Sequence, residues 1–197
     1  MSKIGIFGGT FDPVHFGHLI NAQSVLEKRK LDKIIFVPNF ISPHKLHYEY
    51  SSPEDRYNML QLAIEPNPQF KISDFEIKKN NVSYTIDTVK EFSKKYVEME
   101  LIIGLDNLIT FDTWERPDEI LKFVDLVVMK RTYDRHIKAP HKYFGKAIFV
   151  DTPTIEISST DIRKRVANNL PINFLVPSTV KEYILQNKLY TKSYNKN

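Results

Sequence analysis

Six short apolar runs punctuate the chain: KIGIF (3–7), KIIFVP (33–38), FKISDFEI (70–77), ELIIGL (100–105), DLVVMK (125–130) and AIFVD (147–151). Runs of this length bounded by turn residues read as buried strands. The intervals between most of them carry helical periodicity. Residues 17–29 put Leu19, Ala22, Val25 and Leu26 on one face. Ser52-Pro53-Glu54-Asp55 supplies an N-cap, a first-turn proline and an acidic position, and the helix it opens carries Met59, Leu60, Ala63 and Ile64. Residues 83–96 bring Ile86, Val89 and Phe92 into register, a short helical stretch separates the fourth and fifth runs, and helices follow Ser158-Ser159 and Pro177-Ser178. Strands alternating with helices require right-handed crossovers and a sheet covered on both faces. The predicted class is α/β: a doubly wound, mostly parallel, Rossmann-like sheet with C-terminal helices.

No repeat, low-complexity linker or composition break divides the 197 residues. One domain over 1–197 is expected, its helical C-terminal portion at about 158–190, with only the polar KSYNKN end frayed. The chain has no cysteine, which excludes disulfides and thiolate metal sites and fits a reducing cytosol. No run approaches the roughly 20 apolar residues of a membrane span, and the first apolar run breaks at Gly8-Gly9, too early for a signal peptide. A soluble cytoplasmic protein is expected. The formal charge is only +4, and no basic run is longer than three residues, as in RKR at 163–165. Small anionic ligands suit that balance better than nucleic acid.

In doubly wound sheets ligands bind outside the carboxyl ends of the strands, where strand order reverses. The loop after the first run reads GGTFDPVHFGH (8–18). It is no Walker A loop, since no GK[ST] follows, and no GxGxxG, since position 7 is Phe. It shares their physics: Gly8 and Gly9 let backbone approach a ligand, and the N–H groups of the next helix favour phosphate. His15 and His18 stand at the mouth of that helix. A tight turn with two satisfied histidines is the plain reading, but an i, i+3 pair behind a diglycine turn points to an anion site. Lys45 lies in the loop after the second run, where a cation reaches a polyphosphate; His44 and His47 beside it have no acidic partner and make a weak case for metal. Ser158 with Asp161 fits a capping box. Ser159, Thr160 and Arg163 add a second anion cradle, and the two roles are compatible. Asp106 ends the fourth run, Trp114 is either a core anchor or a stacking platform, and Ser83-Tyr84-Thr85 is either a cap or a ligand contact. No metal-ligating set is predicted.

Taken together these stretches resemble the bacterial nicotinate-mononucleotide adenylyltransferases of the HxGH nucleotidyltransferase superfamily. The matching pieces are GGTFDPVHFGH, SPHK, SYTIDT, GLD with Trp114 downstream, Lys130-Arg131 and ISSTDIRKR, in family order from residue 5 to residue 165. The resemblance implies transfer of the adenylyl group of ATP to nicotinate mononucleotide with Mg²⁺ bound to the ATP. It implies that Gly8, Gly9 and Phe11 bind ATP, that Thr10 and the catalytic His15, His18 and Lys45 clamp its phosphates, and that Ser159, Thr160 and Arg163 hold the far ones. Asp106 would contact a ribose, and Thr85 and Trp114 would form the pyridine site. Two departures stand out: Leu105 where the family usually has Ala, expected to shift the nucleotide pocket, and Thr132-Tyr133 after Arg131 where Pro-Gly is frequent. The alternatives are transfer to nicotinamide mononucleotide or another phosphate acceptor, and a silent nucleotide sensor. A sensor predicts losses in the phosphate clamp, and both histidines, Lys45 and Arg163 are present. Self-association is left open.

Overall fold

The computed structural model describes residues 2–41, 50–130 and 142–191. Its six strands are β1 (Lys3–Gly9), β2 (Lys33–Pro38), β3 (Phe70–Ile72), β4 (Glu98–Gly104), β5 (Asp125–Lys130) and β6 (Ala147–Asp151). They pair in parallel in the order β3-β2-β1-β4-β5-β6. Among the described residues the helices are α1 (Phe16–Arg29), α2 (Pro53–Ile64), α3 (Phe75–Lys79), α4 (Thr85–Ser93), α5 (Leu105–Ile109), α6 (Pro117–Ile120), α7 (Ser159–Ala167) and α8 (Ser178–Gln186). Strand order reverses between β1 and β4, so the predicted doubly wound class holds and the crevice belongs outside the carboxyl ends of those two strands.

The near-continuous apolar runs follow from burial on both faces. Side chains alternate across the sheet. Phe7, Ile34, Phe36 and Ile102 enter one cluster with Ala22, Val25 and Leu26 of α1, Met59 and Leu60 of α2, Ile162 of α7 and Val180 and Ile184 of α8. Ile6, Ile35, Val37, Leu101 and Ile103 enter the other with Ile86 and Val89 of α4, Leu105 and Leu108 of α5 and Ile120 of α6. The C-terminal helices therefore share a core with the first two strands.

The third apolar run departs most from the sequence reading. FKISDFEI does not run as a single strand: only Phe70–Ile72 pairs, and Phe75–Lys79 is helical. At this sheet edge Ser73 N–H still donates to Phe36 O (2.9 Å), but Ser73 Oγ then accepts from Phe75 N–H (3.3 Å) and Asp74 O from Lys78 N–H (2.8 Å). The Ser-Asp pair turns the chain, an effect that the alternating Phe75 and Ile77 conceal in the sequence. The turn buries Glu76, which accepts from Thr88 Oγ1 at 2.5 Å. Burial pushes its carboxyl above the ordinary range against that bond and one from Ser83. The fourth run also differs slightly, since β4 ends at Gly104 and Leu105 starts α5.

Candidate active site

Gly8 is the last residue but one of β1 and Gly104 ends β4, and a Cβ added to either would meet no atom within 4 Å. The two strands flanking the switch point thus present bare backbone to open space, where a ligand is expected. Gly9 is different. An added Cβ there would lie 2.9 Å from Phe11 Cζ, so the Phe11 ring covers it. Phe11 sits at φ 52° with its ring buried edge-on against Phe7 (5.7 Å) and His18 (5.1 Å). It can offer a ligand its backbone, not its side chain. The Asp12–Pro13 peptide that follows is cis.

The histidine spacing has a local cause. His15 stands before α1 in extended conformation (φ −147°), and its N–H donates to His18 Nδ1 at 3.3 Å. Because that nitrogen accepts, neutral His18 carries its proton on Nε2. The two rings stack with centroids 3.7 Å apart at 26°. Gly17 makes room for the stack, since a Cβ there would come within 3.0 Å of His15 Nδ1. Burial holds His15 down to about 4. Burial, with His15 alongside, holds His18 well below the ordinary imidazole range. Near pH 7 both rings are uncharged and offer N–H donors rather than cations.

Helix α7 brings the second predicted cradle against this loop. Ser158 Oγ accepts from Asp161 N–H (3.0 Å) and donates to Asp161 Oδ2 (2.7 Å), the expected cap. Ser159 Oγ donates to Pro13 O (2.9 Å), and the Arg163 guanidinium donates to Asp12 O (2.7 Å) and Thr160 Oγ1 (3.2 Å). Thr10 Oγ1 accepts from Asn39 Nδ2 at 3.2 Å. Ser159 and Arg163 are therefore hydrogen-bonded to the loop that leads from Thr10 to the stacked histidines, with Thr160 held by Arg163.

Two of the remaining candidates, Asp106 and Trp114, follow β4 on the other side of the switch point. Asp106 is exposed as the second residue of α5. Trp114 packs on Phe111 (5.1 Å, 46°) and is only half-buried, which leaves part of the indole outward. Thr85 opens α4, whose preceding Tyr84 makes no side-chain cap. Leu105, expected to shift the pocket, instead points into the core, 6% exposed, with Leu108 and Phe111. Its bulk is absorbed away from the open space at Gly104. Lys45, His44, His47, Arg131, Thr132 and Tyr133 lie outside the described residues. Among the described residues no group of three or more His, Asp or Glu is placed to hold a metal ion, and no helix is long and apolar enough to cross a membrane.

Four residues of this neighbourhood were not singled out from the sequence: Asp12, Asn39, Arg56 and Tyr190. Buried Asp12 accepts from Tyr190 OH (2.6 Å) and Ser51 N–H (3.3 Å), tying the loop to the far end of the chain. Nothing in the sequence marks Tyr190. Arg56 did leave a signal, since it falls in register with Met59, Leu60 and Ala63 on the core face of α2. Tyr190→Phe removes the hydroxyl donor and leaves a buried carboxylate short of a partner. The expected cost is about 1–3 kcal/mol of stability, read from the urea midpoint at unchanged m-value.

The fold and the stacked-histidine helix mouth define a nucleotidyltransferase of the cytidylyltransferase-like type, and the family model of that description matches residues 6–165. The chain is 42% identical to the nicotinate-nucleotide adenylyltransferase of Bacillus subtilis over 192 residues, 96% of this chain and 99% of that protein. It is also 42% identical to a Caldicellulosiruptor saccharolyticus protein named "Probable nicotinate-nucleotide adenylyltransferase", covering 95% of this chain and 98% of that one. The chain belongs to the nicotinate-nucleotide adenylyltransferase family. The solved Plasmodium falciparum nicotinic acid mononucleotide adenylyltransferase, complexed with NaAD, superposes with a TM-score of 0.77 over 99% of both chains at 19% identity, a likeness of fold.

Proposed function

We propose that the chain transfers the adenylyl group of ATP to nicotinate mononucleotide, giving deamido-NAD and pyrophosphate. The names of its relatives support this reading. The observation that carries it is the pair of neutral, stacked histidines at the start of α1 beside two bare glycine backbones. The acceptor's phosphate oxygen attacks the α-phosphorus, the bond from that phosphorus to the bridging oxygen breaks, and pyrophosphate leaves with the electron pair. The attacking phosphate is already an anion, so no general base is needed. The enzyme's work is to align two anions and to offset charge developing on the leaving group.

In this reading His18 Nε2–H, His15, Thr10 and the backbone of Gly8, Gly9 and Phe11 hold the inner phosphates, with Lys45 as the cation. Ser159, Thr160 and Arg163 hold the outer ones. Asp106 takes a ribose, and Thr85 and Trp114 take the pyridine ring. Mg²⁺ enters as the ATP complex, coordinated mainly by phosphate oxygens, as is usual for this ion. We read the whole chain as one cytoplasmic nucleotidyltransferase domain.

Pyrophosphate release, measured with nicotinate and nicotinamide mononucleotides side by side, tests the assignment. Release with the acid supports it, preference for the amide moves the acceptor, and release with neither sinks it. The open space at Gly8 adds a sharper expectation. Gly8→Ala meets no protein atom, so melting stays unchanged, while the methyl intrudes on the nucleotide. Its kcat/KM for ATP falls about tenfold, equivalent to about 1.4 kcal/mol.

A further inference from the structure

Arg56 occupies a core position of α2 and is 1% exposed. An apolar side chain would be the ordinary occupant, because a buried guanidinium needs a partner for each donor it withdraws from water. Its partners are spread over three segments. Nε donates to Ser51 O (3.2 Å), Nη1 to Thr10 O (2.9 Å) and Asn39 Oδ1 (3.3 Å), and Nη2 to Phe40 O (3.0 Å). Asn39 extends the same bridge, its N–H donating to Gly9 O (3.0 Å) and its Nδ2 to Thr10 Oγ1 (3.2 Å).

Thr10 is thereby held at two points, by Arg56 on its carbonyl and by Asn39 on its hydroxyl. A fixed carbonyl fixes the adjoining peptide plane. Resting on the reading above, we propose that Arg56 is a positioning residue for adenylyl transfer. Through Thr10 and Asn39 it sets the direction in which the diglycine turn presents its donors to the phosphates. The four bonds radiate from one planar fork, which an ammonium cannot reproduce. Arg56 itself faces the core side of the turn and touches no reacting atom in this account.

The test is Arg56→Lys, which keeps the charge and loses the fork. Melting, kcat and both KM values are measured for wild type, Arg56→Lys, Thr10→Ala and the double variant. A cooperative melt is expected with KM for the pyridine mononucleotide within about twofold and kcat down about 10–100-fold, the scale of an ångström-sized misplacement. In the Thr10→Ala background the same substitution costs at least about threefold less, since part of what it orients is gone. Unchanged kcat in a folded Arg56→Lys, or losses that multiply independently, overturns the proposal. Should Arg56→Lys not fold, Asn39→Ala cuts the bridge at an uncharged link. A kcat loss there on a folded protein supports the proposal, and an unchanged kcat overturns it. Wild type releasing no pyrophosphate removes the functional reading and this inference together, whereas an active wild type with an equally active Arg56→Lys removes the inference alone.

Discussion

His18→Ala lowers kcat about 10³-fold, the loss expected when a preorganised donor to developing negative charge is removed, while the protein keeps its melting transition. The size follows from how the ring is held. His18 is uncharged, so it contributes one aimed N–H rather than a diffuse positive field. Its Nδ1 already accepts from the His15 backbone, which commits Nε2 to donating. Its ring is clamped between His15 at 3.7 Å and Phe11 at 5.1 Å, so little reorganisation remains when charge builds on the ligand. A side chain with a planar N–H donor of similar reach recovers part of the loss, so His18→Asn exceeds His18→Ala in kcat. Equal rates for the two variants, or a loss under tenfold in either, would mean that the ring serves the fold of α1 rather than the reaction.

The strands and the histidine loop were legible because both depend on local pattern. Apolar runs buried on two faces announce a parallel sheet, and a diglycine followed by i, i+3 histidines announces the mouth of a helix. The segment at 70–77 was misread for the same reason: Phe75 and Ile77 alternate like a strand, and the turn made by Ser73 and Asp74 is a hydrogen-bonding event that periodicity does not register. The supporting shell was largely illegible. Tyr190 reaches Asp12 across 178 positions, and no spacing rule covers such a contact. Arg56 was legible in principle as a charge on the core face of α2, where a buried cation demands an explanation. Leu105 looked like an intrusion into the pocket because a sequence does not say to which side of a strand-to-helix turn a side chain points. The fold sends it inward.

Acid destabilises this protein through the same histidine pair. His15 titrates near 4 in the folded chain because burial penalises its charged form, against about 6.5 when unfolded. Between those values the unfolded state binds more protons, so stability rises with pH there. The contribution is complete above pH 6.5 and is lost as pH falls toward and through 4, on the order of 3 kcal/mol for His15 alone. His18 adds in the same direction, its burial reinforced by the neighbouring ring. Glu76 opposes them, since a carboxyl raised by burial favours the folded state on the acid side and loses that as pH rises through its folded value. A single pH profile would mix these terms, so the decisive quantity is a difference between proteins. His15→Asn keeps a good N-cap residue and removes the titration. Urea unfolding at pH 7 and pH 4.5 should show wild type losing more stability than His15→Asn. Equal losses would place the charge-sensitive burial elsewhere and leave the stacked pair able to ionise in the fold. The neutral pair and the proposed reaction then rest on one arrangement: burial that makes acid costly also keeps both rings as N–H donors near pH 7.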